Sequence, residues 1–513
     1  MKKINEGNQR KAGAILSYVS IIANTIVGLV YSPYLIRILG QSEYGLYSLI
    51  SSVIGYLTVL DFGFGNAVIV YTARYRAKGE YDKEKKLHGM FFLVFCIIAI
   101  ITVALGIVLY FLLPIFFGKT MTPVELKEAK VLVIIMIINL AFNFVFSIYS
   151  SILSAYEEFI YQKIMNIVSI ILKPIIMIPL LSMGCKSIGM ASVLTGINIF
   201  IMISNYLYCR KKLDIKIRFY GFDNILFKEI FRYSFWIFLN IIVDKINWSV
   251  DKFILGAVSG TIAVSVYSVA ARINDMVVNL STAVSGVLLP KMTKMVAKDA
   301  DSNQVTNEFI KVGRIQYYII FLIVSGFALF GKEFINAWVG EQYEDAYYIT
   351  LILIVTTAIP LIQNLGISIL QAMNKHKFRS VVYFFVALAN VIISIPLAKK
   401  YGGIGSAIGT AIGVTIGNII IMNIYYQKSA KINVIKFWKQ ILKMTITFII
   451  PIAIILIINH LKPLYGYRQV LVYGGIYTIL YSITCYFIDM NDYEKNIVNK
   501  VLIKIHLKKL VER

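Results

Sequence analysis

Charged side chains are scarce in this chain. Asp, Glu, Lys and Arg make up 15% of its 513 residues, whereas soluble domains average about 25%. Hydrophobic residues account for 58%, and the mean hydropathy is +0.74. These values exclude a water-soluble globular protein. The long apolar runs show no alternation, which also excludes an outer-membrane β-barrel. The composition therefore predicts an all-α integral membrane protein.

Cysteine and histidine are equally scarce, with four of each. The cysteines are scattered without CxxC spacing, which argues against a disulfide framework and against a metal site. His88, His376, His460 and His506 fall in predicted loops or in the tail, so no buried acid–base histidine is expected. A membrane polymerase or ligase would need a large outside loop with catalytic groups, and only short loops are predicted. We therefore predict that the chain is not an enzyme.

Apolar segments long enough to cross a bilayer, about 20 residues each, follow one another along the chain. They predict about fourteen transmembrane helices, at residues 13–39, 45–72, 89–117, 130–154, 161–183, 187–209, 230–256, 261–289, 311–331, 346–372, 380–398, 404–426, 441–459 and 470–489. The first segment lacks a cleavage-type end, so we interpret it as a span and not as a signal peptide.

Basic residues outnumber acidic ones by 51 to 27, a net charge of +24. With the amino terminus inside, most of the basic residues fall in the amino terminus, the even-numbered loops and the tail. This bias predicts that both termini are cytoplasmic. We interpret the basic loops as topology signals and contacts with membrane lipids, and we expect no nucleic-acid partner. The predicted location is the cytoplasmic (inner) cell membrane, which the chain crosses many times.

Short segments of the first half recur in the second at an offset of 216 or 217 residues, for example Ser151–Ala155 as Ser368–Ala372. This repeat predicts two parallel-related six-helix lobes. Residues 1–218 form the N-lobe with helices 1–6, residues 219–440 form the C-lobe with helices 7–12, and residues 441–513 add two helices and a basic cytoplasmic tail. Parallel repeats occur in alternating-access transporters, with a site between the halves.

Glycine recurs every four residues in predicted helix 12. Such spacing creates a smooth face that lets another helix approach closely. We therefore predict close helix packing at Gly405, Gly409, Gly413 and Gly417.

Three motifs lie near the amino terminus: Pro33-Tyr-Leu-Ile-Arg-Ile-Leu-Gly40, Ser42-Glu-Tyr-Gly-Leu-Tyr-Ser48 and Tyr56-Leu-Thr-Val-Leu-Asp-Phe-Gly-Phe-Gly65. They resemble the opening of Wzx-type polysaccharide flippases of the multidrug/oligosaccharidyl-lipid/polysaccharide exporter superfamily, and the similarity in architecture extends over nearly the whole chain. The resemblance implies transfer of a polyprenyl-diphosphate-linked oligosaccharide from the cytoplasmic to the outer leaflet by alternating access. It also implies a polysaccharide polymerase and glycan-assembly proteins as partners.

Ionisable side chains inside the spans are functional candidates, because charge is costly in the bilayer. Arginine and lysine suit a lipid diphosphate, and Arg272, in the middle of helix 8, is the leading candidate. Alternatively, Arg272 pairs with Asp275, and Arg37 and Lys252 extend to the outer surface. The basic candidates for substrate binding are Arg37, Lys173, Lys245, Lys252 and Arg272.

Predicted helix 7 carries the densest polar cluster, with Asn240, Asp244, Trp248 and Asp251 on one stripe. We interpret the stripe as a cavity wall in which Asn240 and Trp248 contact substrate, Trp248 by stacking on a sugar. The alternative is a salt-bridge seam. For Asp61, beside two glycines, the alternative is a hydrogen bond to a neighbouring helix. The candidates for binding a coupling proton or sodium ion are Asp61, Asp244, Asp251 and Asp275.

No other cofactor is expected. The main competing function is an ion-coupled multidrug efflux antiporter of the same superfamily, which exports organic cations. A chain with twelve spans would favour the antiporter, whereas the predicted helices 13 and 14 favour the flippase. A passive scaffold in a glycan-assembly complex is a third possibility.

Overall fold

The computed structural model describes residues 6–286, 292–295, 301–373, 375–461 and 466–504, and nearly all of them are helical. The described residues contain no β-strand. The helices α1 to α17 are Glu6–Leu57, Phe64–Ala77, Tyr81–Phe117, Pro123–Ala155, Phe159–Ser182, Ser187–Lys211, Asn224–Val258, Gly260–Gly286, Ser302–Trp338, Asp345–Ile362, Leu365–Ala372, His376–Val414, Met422–Lys428, Val434–Thr447, Ile449–Leu461, Gly466–Thr484 and Asp492–Lys504. The all-α membrane class is confirmed.

Eleven helical segments of the described chain are long and apolar enough to cross a membrane. Two of them, Ile15–Ala77 and Lys377–Lys428, have 63 and 52 residues, far more than the ~20 that one crossing needs. Each contains a glycine with a left-handed backbone, Gly40 (φ 73°) and Gly402 (φ 55°), which breaks the helix where other residues would be strained. The eleven segments do not include α7, and two of them are long enough for more than one crossing. The count of fourteen transmembrane helices therefore stays a prediction.

The helices form two compact units, one of residues 1–268 with 398–403 and the other of residues 269–397 with 404–513. Within the first unit, α7 packs against α1, α2 and α3. The lobe borders at residues 218 and 440 are inferred from the sequence repeat. The two compact units do not test that repeat, so these borders stay predictions.

A hydrogen-bond cluster joins three helices of the first unit. The Glu125 carboxylate, in the first turn of α4, accepts hydrogen bonds from the hydroxyls of Ser42 and Thr261, both at 2.6 Å. Its other oxygen accepts from the backbone N–H of Thr122, the residue that caps α4. A Cβ on Gly45 would clash with the Thr261 carbonyl. Glycine at this position therefore lets α1 and the start of α8 cross in close contact.

The predicted glycine face lies in the second unit, at the end of α12 and in the π-helical segment Thr415–Ile421 that follows it. A side chain at Gly409 would clash with Ser394, and one at Gly417 would clash with Val386. At Gly413 a Cβ would lie 3.4 Å from the Asn390 Cβ. Close packing is therefore confirmed at Gly409 and Gly417, whereas a Cβ at Gly413 would make an ordinary contact.

The histidine assignment was wrong for His88. This residue lies in α3, its side chain is 3% exposed, and its ring is hydrogen-bonded to the Thr72 hydroxyl at 3.0 Å. The sequence pattern placed it in a loop because α3 begins at Tyr81, in a charged segment that precedes the apolar part of the helix. His376 and His460 lie in the terminal turns of α12 and α15, and His506 lies outside the described residues.

A buried ion pair connects α9 with α17 in the second unit. The Arg314 guanidinium donates to both Glu494 oxygens, at 2.6 and 2.9 Å, and the two side chains are 9% and 3% exposed. The Tyr318 hydroxyl donates to Asp489 at 2.8 Å. Bidentate pairs of this kind are strong. The contacts attach α17 to the rest of the second unit.

We expect Arg314→Ala to lower the free energy of unfolding by about 3–5 kcal/mol, because it leaves the Glu494 carboxylate buried without its partner. Lys311→Ala removes a partly exposed ion pair with Glu308 and is the matched control, with an expected loss below about 1 kcal/mol. Thermal unfolding of the purified protein in detergent measures both. Equal losses of unfolding free energy in the two variants would contradict a stabilising role for the buried Arg314–Glu494 pair.

Candidate functional site

Asp61 lies where the helix is interrupted between α1 and α2. A 3₁₀ turn, Thr58–Asp61, follows α1, and then Phe62 and Gly63 have left-handed backbones with φ of 52° and 74°. The Asp61 carboxylate accepts hydrogen bonds from the backbone N–H groups of Gly63 and Gly65. It therefore caps the start of α2 as side-chain oxygens do at helix amino termini.

Asp61 also lines a polar groove in the first unit. Two adjoining cavities of about 270 and 480 Å³ lie between α1, α4 and α6 and share Thr58, Leu140 and Asn143 as lining residues. None of the described residues that line them is a lysine or an arginine. We name this site the carboxamide groove, and its polar lining residues are Tyr47, Ser51, Thr58, Asp61, Asn139, Asn143, Ser147, Ser150, Ser151, Thr195, Asn198 and Asn205.

Helical periodicity creates this polar lining. On α4 the polar residues Asn139, Asn143, Ser147 and Ser150 recur every three or four residues, so they share one face. The Asn198 side chain of α6 donates to the Asn139 oxygen at 3.4 Å. Asn143 is exposed, and an exposed carboxamide in contact with lipid would be costly. The groove therefore requires water or a polar ligand.

An apolar surface lies on the other side of the same helix. Val131, Ile134, Ile138 and Phe142 of α4 are exposed, as expected for residues that contact lipid. Phe146 lines both the carboxamide groove and an apolar furrow of about 590 Å³ between α3 and α4. Polar and apolar surfaces thus meet at Phe146.

The structure places one basic candidate beside the groove. Lys245 is partly buried, and its Nζ lies 3.9 Å from the position that a Cβ on Gly55 would occupy. Gly55 lines the groove. Arg37 is exposed, whereas Lys173 and Lys252 are partly buried, and none of these three is among the groove's described lining residues.

Asp251 has a contact that favours a structural role. Its side chain is 2% exposed, and it accepts a hydrogen bond from the Tyr267 hydroxyl of α8 at 2.7 Å. Buried carboxylates in spans are stable only with such partners. The bond connects α7 with the first part of α8 inside the first unit.

Arg272 lies in the second unit and is partly buried. Its Nε atom is buried, and among the described residues it has no hydrogen-bond partner. Asp275 is exposed. The backbone of the helix 7 cluster belongs to α7, but the side chains of Asn240, Asp244 and Trp248 lie outside the described residues.

The sequence analysis missed the groove asparagines because it considered only ionisable groups and helix 7. A signal was present in the sequence. Polar residues recur three, four or seven positions apart in predicted spans 2 and 4, and Thr195, Asn198 and Asn205 share a face of span 6. Three polar stripes in spans that are otherwise apolar indicate a common hydrated site.

Comparisons with known proteins identify the family. The sequence profile of the polysaccharide biosynthesis protein family matches residues 11–296, more than half of the chain. The chain belongs to this family. A putative O-antigen transporter of Shigella flexneri is 22% identical over 412 residues, covering 78% of this chain and 94% of that protein.

Two solved structures share the fold of this family member. The lipid II flippase MurJ in an inward closed conformation superimposes with a TM-score of 0.72 at 19% identity, covering 95% of this chain and 99% of that one. An inward-facing multidrug resistance MATE family transporter of the MOP superfamily gives 0.62 at 14% identity, covering 80% and 99%. The multi-pass transporter fold expected from the sequence is therefore confirmed.

We expect Tyr267→Phe to lower the free energy of unfolding by about 1–3 kcal/mol, because it leaves the buried Asp251 carboxylate without its hydroxyl donor. Transport activity per folded molecule should stay near the wild-type value if Asp251 has only a structural role. Thermal unfolding in detergent and substrate export in cells measure the two effects. A loss of transport at unchanged stability would instead assign Asp251 to ion coupling.

Proposed function

We propose that the chain is a flippase for a polyprenyl-diphosphate-linked oligosaccharide repeat unit. It moves this lipid from the cytoplasmic to the outer leaflet of the cytoplasmic membrane by alternating access, and a polysaccharide polymerase then uses the delivered unit. The carboxamide groove is the observation that carries the proposal, because it provides a polar site inside an apolar bundle. Family membership and the names of the relatives, an O-antigen transporter and a lipid II flippase, support it.

The two surfaces that meet at Phe146 suit such a substrate. A lipid-linked sugar has a head that must stay hydrated or hydrogen-bonded and a tail that must stay in hydrocarbon. The groove and the furrow on either side of Phe146 offer these two environments. Since moving the lipid between leaflets breaks no covalent bond, we assign no catalytic step to the chain.

An ion-coupled efflux antiporter for organic cations is the second candidate. Asp61 is the one charged group among the described lining residues of the groove, and a carboxylate attracts a cationic drug. The fold is also similar to that of a MATE family transporter. The basic candidates Lys245, near the groove, and Arg272, in the second unit, favour an anionic substrate instead.

Deleting the gene decides between the two functions. We expect lipid-linked repeat units to accumulate on the cytoplasmic face and surface glycan to be lost, with wild type restoring export. Lys245→Ala and Arg272→Ala should restore less than about a tenth of it, since each removes a cation for the diphosphate. Lys332→Ala, an exposed residue paired with Glu344, is the control. Unchanged glycan export with increased drug susceptibility would support the antiporter.

We further expect Asp61→Asn to separate capping from ion coupling. Asparagine caps helices as well as aspartate, whereas Asp61→Ala should cost about 1 kcal/mol of stability. If Asp61 binds the coupling proton or sodium ion, both variants lose transport, and Asp61→Asn does so at wild-type thermal stability. Full transport by Asp61→Asn would exclude a coupling role for this carboxylate.

A further inference from the structure

The carboxamide groove has an unusual chemical character for a protein that handles a lipid diphosphate. Its polar lining residues are amides and hydroxyls, with Asp61 as the one charged group among those described. A diphosphate needs fixed cations, and a groove with a carboxylate and no basic lining residue repels it. The groove therefore suits a neutral ligand.

Amides and hydroxyls are the groups that match sugar hydroxyls. A carboxamide both donates and accepts hydrogen bonds, as every sugar hydroxyl does. Asn143 and Asn205 form no side-chain hydrogen bond with any described residue, so their donors and acceptors are available to a ligand. Asn139 and Asn198 lie near the middle of α4 and α6. Asn143 lies one turn beyond Asn139, and Asn205 lies two turns beyond Asn198, so the available amides continue the row formed by this bonded pair.

Size and position also fit a glycan. The two cavities of about 270 and 480 Å³ together fall within the range of small-molecule sites. Lys245 lies beside Gly55, which lines the smaller cavity. A cation therefore lies next to the carboxamide groove but is not one of its lining residues.

We propose that the carboxamide groove is the glycan subsite of the transporter. The inference rests on the proposed function and deepens it. Asn143 and Asn205 hydrogen-bond the sugar, while Lys245 interacts with the diphosphate next to it. The groove thus determines recognition of the sugar, and Lys245 contributes affinity for every polyprenyl diphosphate.

Lipid retention tests this division of roles. The full-length protein is incorporated into phosphatidylethanolamine and phosphatidylglycerol vesicles that contain the polyprenyl-diphosphate lipids extracted from the source cells. After re-isolation, mass spectrometry measures how much sugar-bearing and sugar-free polyprenyl diphosphate stays bound. The variants are the double substitution Asn143→Leu with Asn205→Leu, the single substitution Lys245→Met, and the control Asn303→Leu, whose side chain is exposed and bonded to Asp301.

We expect the double variant to lower the ratio of sugar-bearing to sugar-free lipid at least about 10-fold, the effect of one or two lost hydrogen bonds. Retention of the sugar-free lipid should not change. Lys245→Met should reduce both lipids alike, and Asn303→Leu should match wild type. An unchanged ratio in the double variant, or equal loss of both lipids, overturns the glycan subsite alone. Wild-type protein that retains neither lipid overturns the proposed function as well.

Discussion

The hydrocarbon core of the membrane offers no hydrogen-bond partner, and this constraint governs every polar side chain in the spans. Such a group must bind another protein group or face water. Asp251 meets the requirement through Tyr267, and Arg314 meets it through Glu494. Asn143 and Asn205 do not meet it through any described residue. The constraint thus separates polar groups that connect helices from polar groups that are available to a ligand. Residue type alone does not make this distinction.

The amino-terminal motifs that indicate the family have identifiable structural roles. Ser42 bonds to Glu125 at the start of α4, and Glu43 accepts from the backbone N–H of Ser187 at the start of α6. Gly45 allows close contact with Thr261, and Asp61 caps α2. Each residue joins α1, or the turn that follows it, to the beginning of another helix. Ser42 and Glu43 thereby connect α1 with α4 and α6, the helices that form the carboxamide groove.

Composition and apolar periodicity were sufficient to predict the all-α membrane fold, because lipid contact dictates both directly. The glycine face at Gly409 and Gly417 was also predictable, since close helix packing leaves a local four-residue pattern. His88 was placed in a loop because α3 begins before its apolar part, and the contact of its buried ring with Thr72 is one that no local pattern shows. The groove was missed for a similar reason: Asn143 and Asn198 are unremarkable singly, and they form a site only when α4 and α6 are packed together.

In the proposed subsite, the separation of the carboxamide groove from the cations suits a transporter, which must release what it binds. A diphosphate held by fixed cations binds strongly, whereas each neutral hydrogen bond contributes only about 1 kcal/mol net. A glycan held by several such bonds is recognised by their number and positions and still leaves readily when the bonds exchange with water. In the proposed subsite, the asparagines therefore determine which sugar is recognised, whereas the cations contact the diphosphate that all such lipids share. This division explains how one fold could serve lipids with a common diphosphate and different glycans.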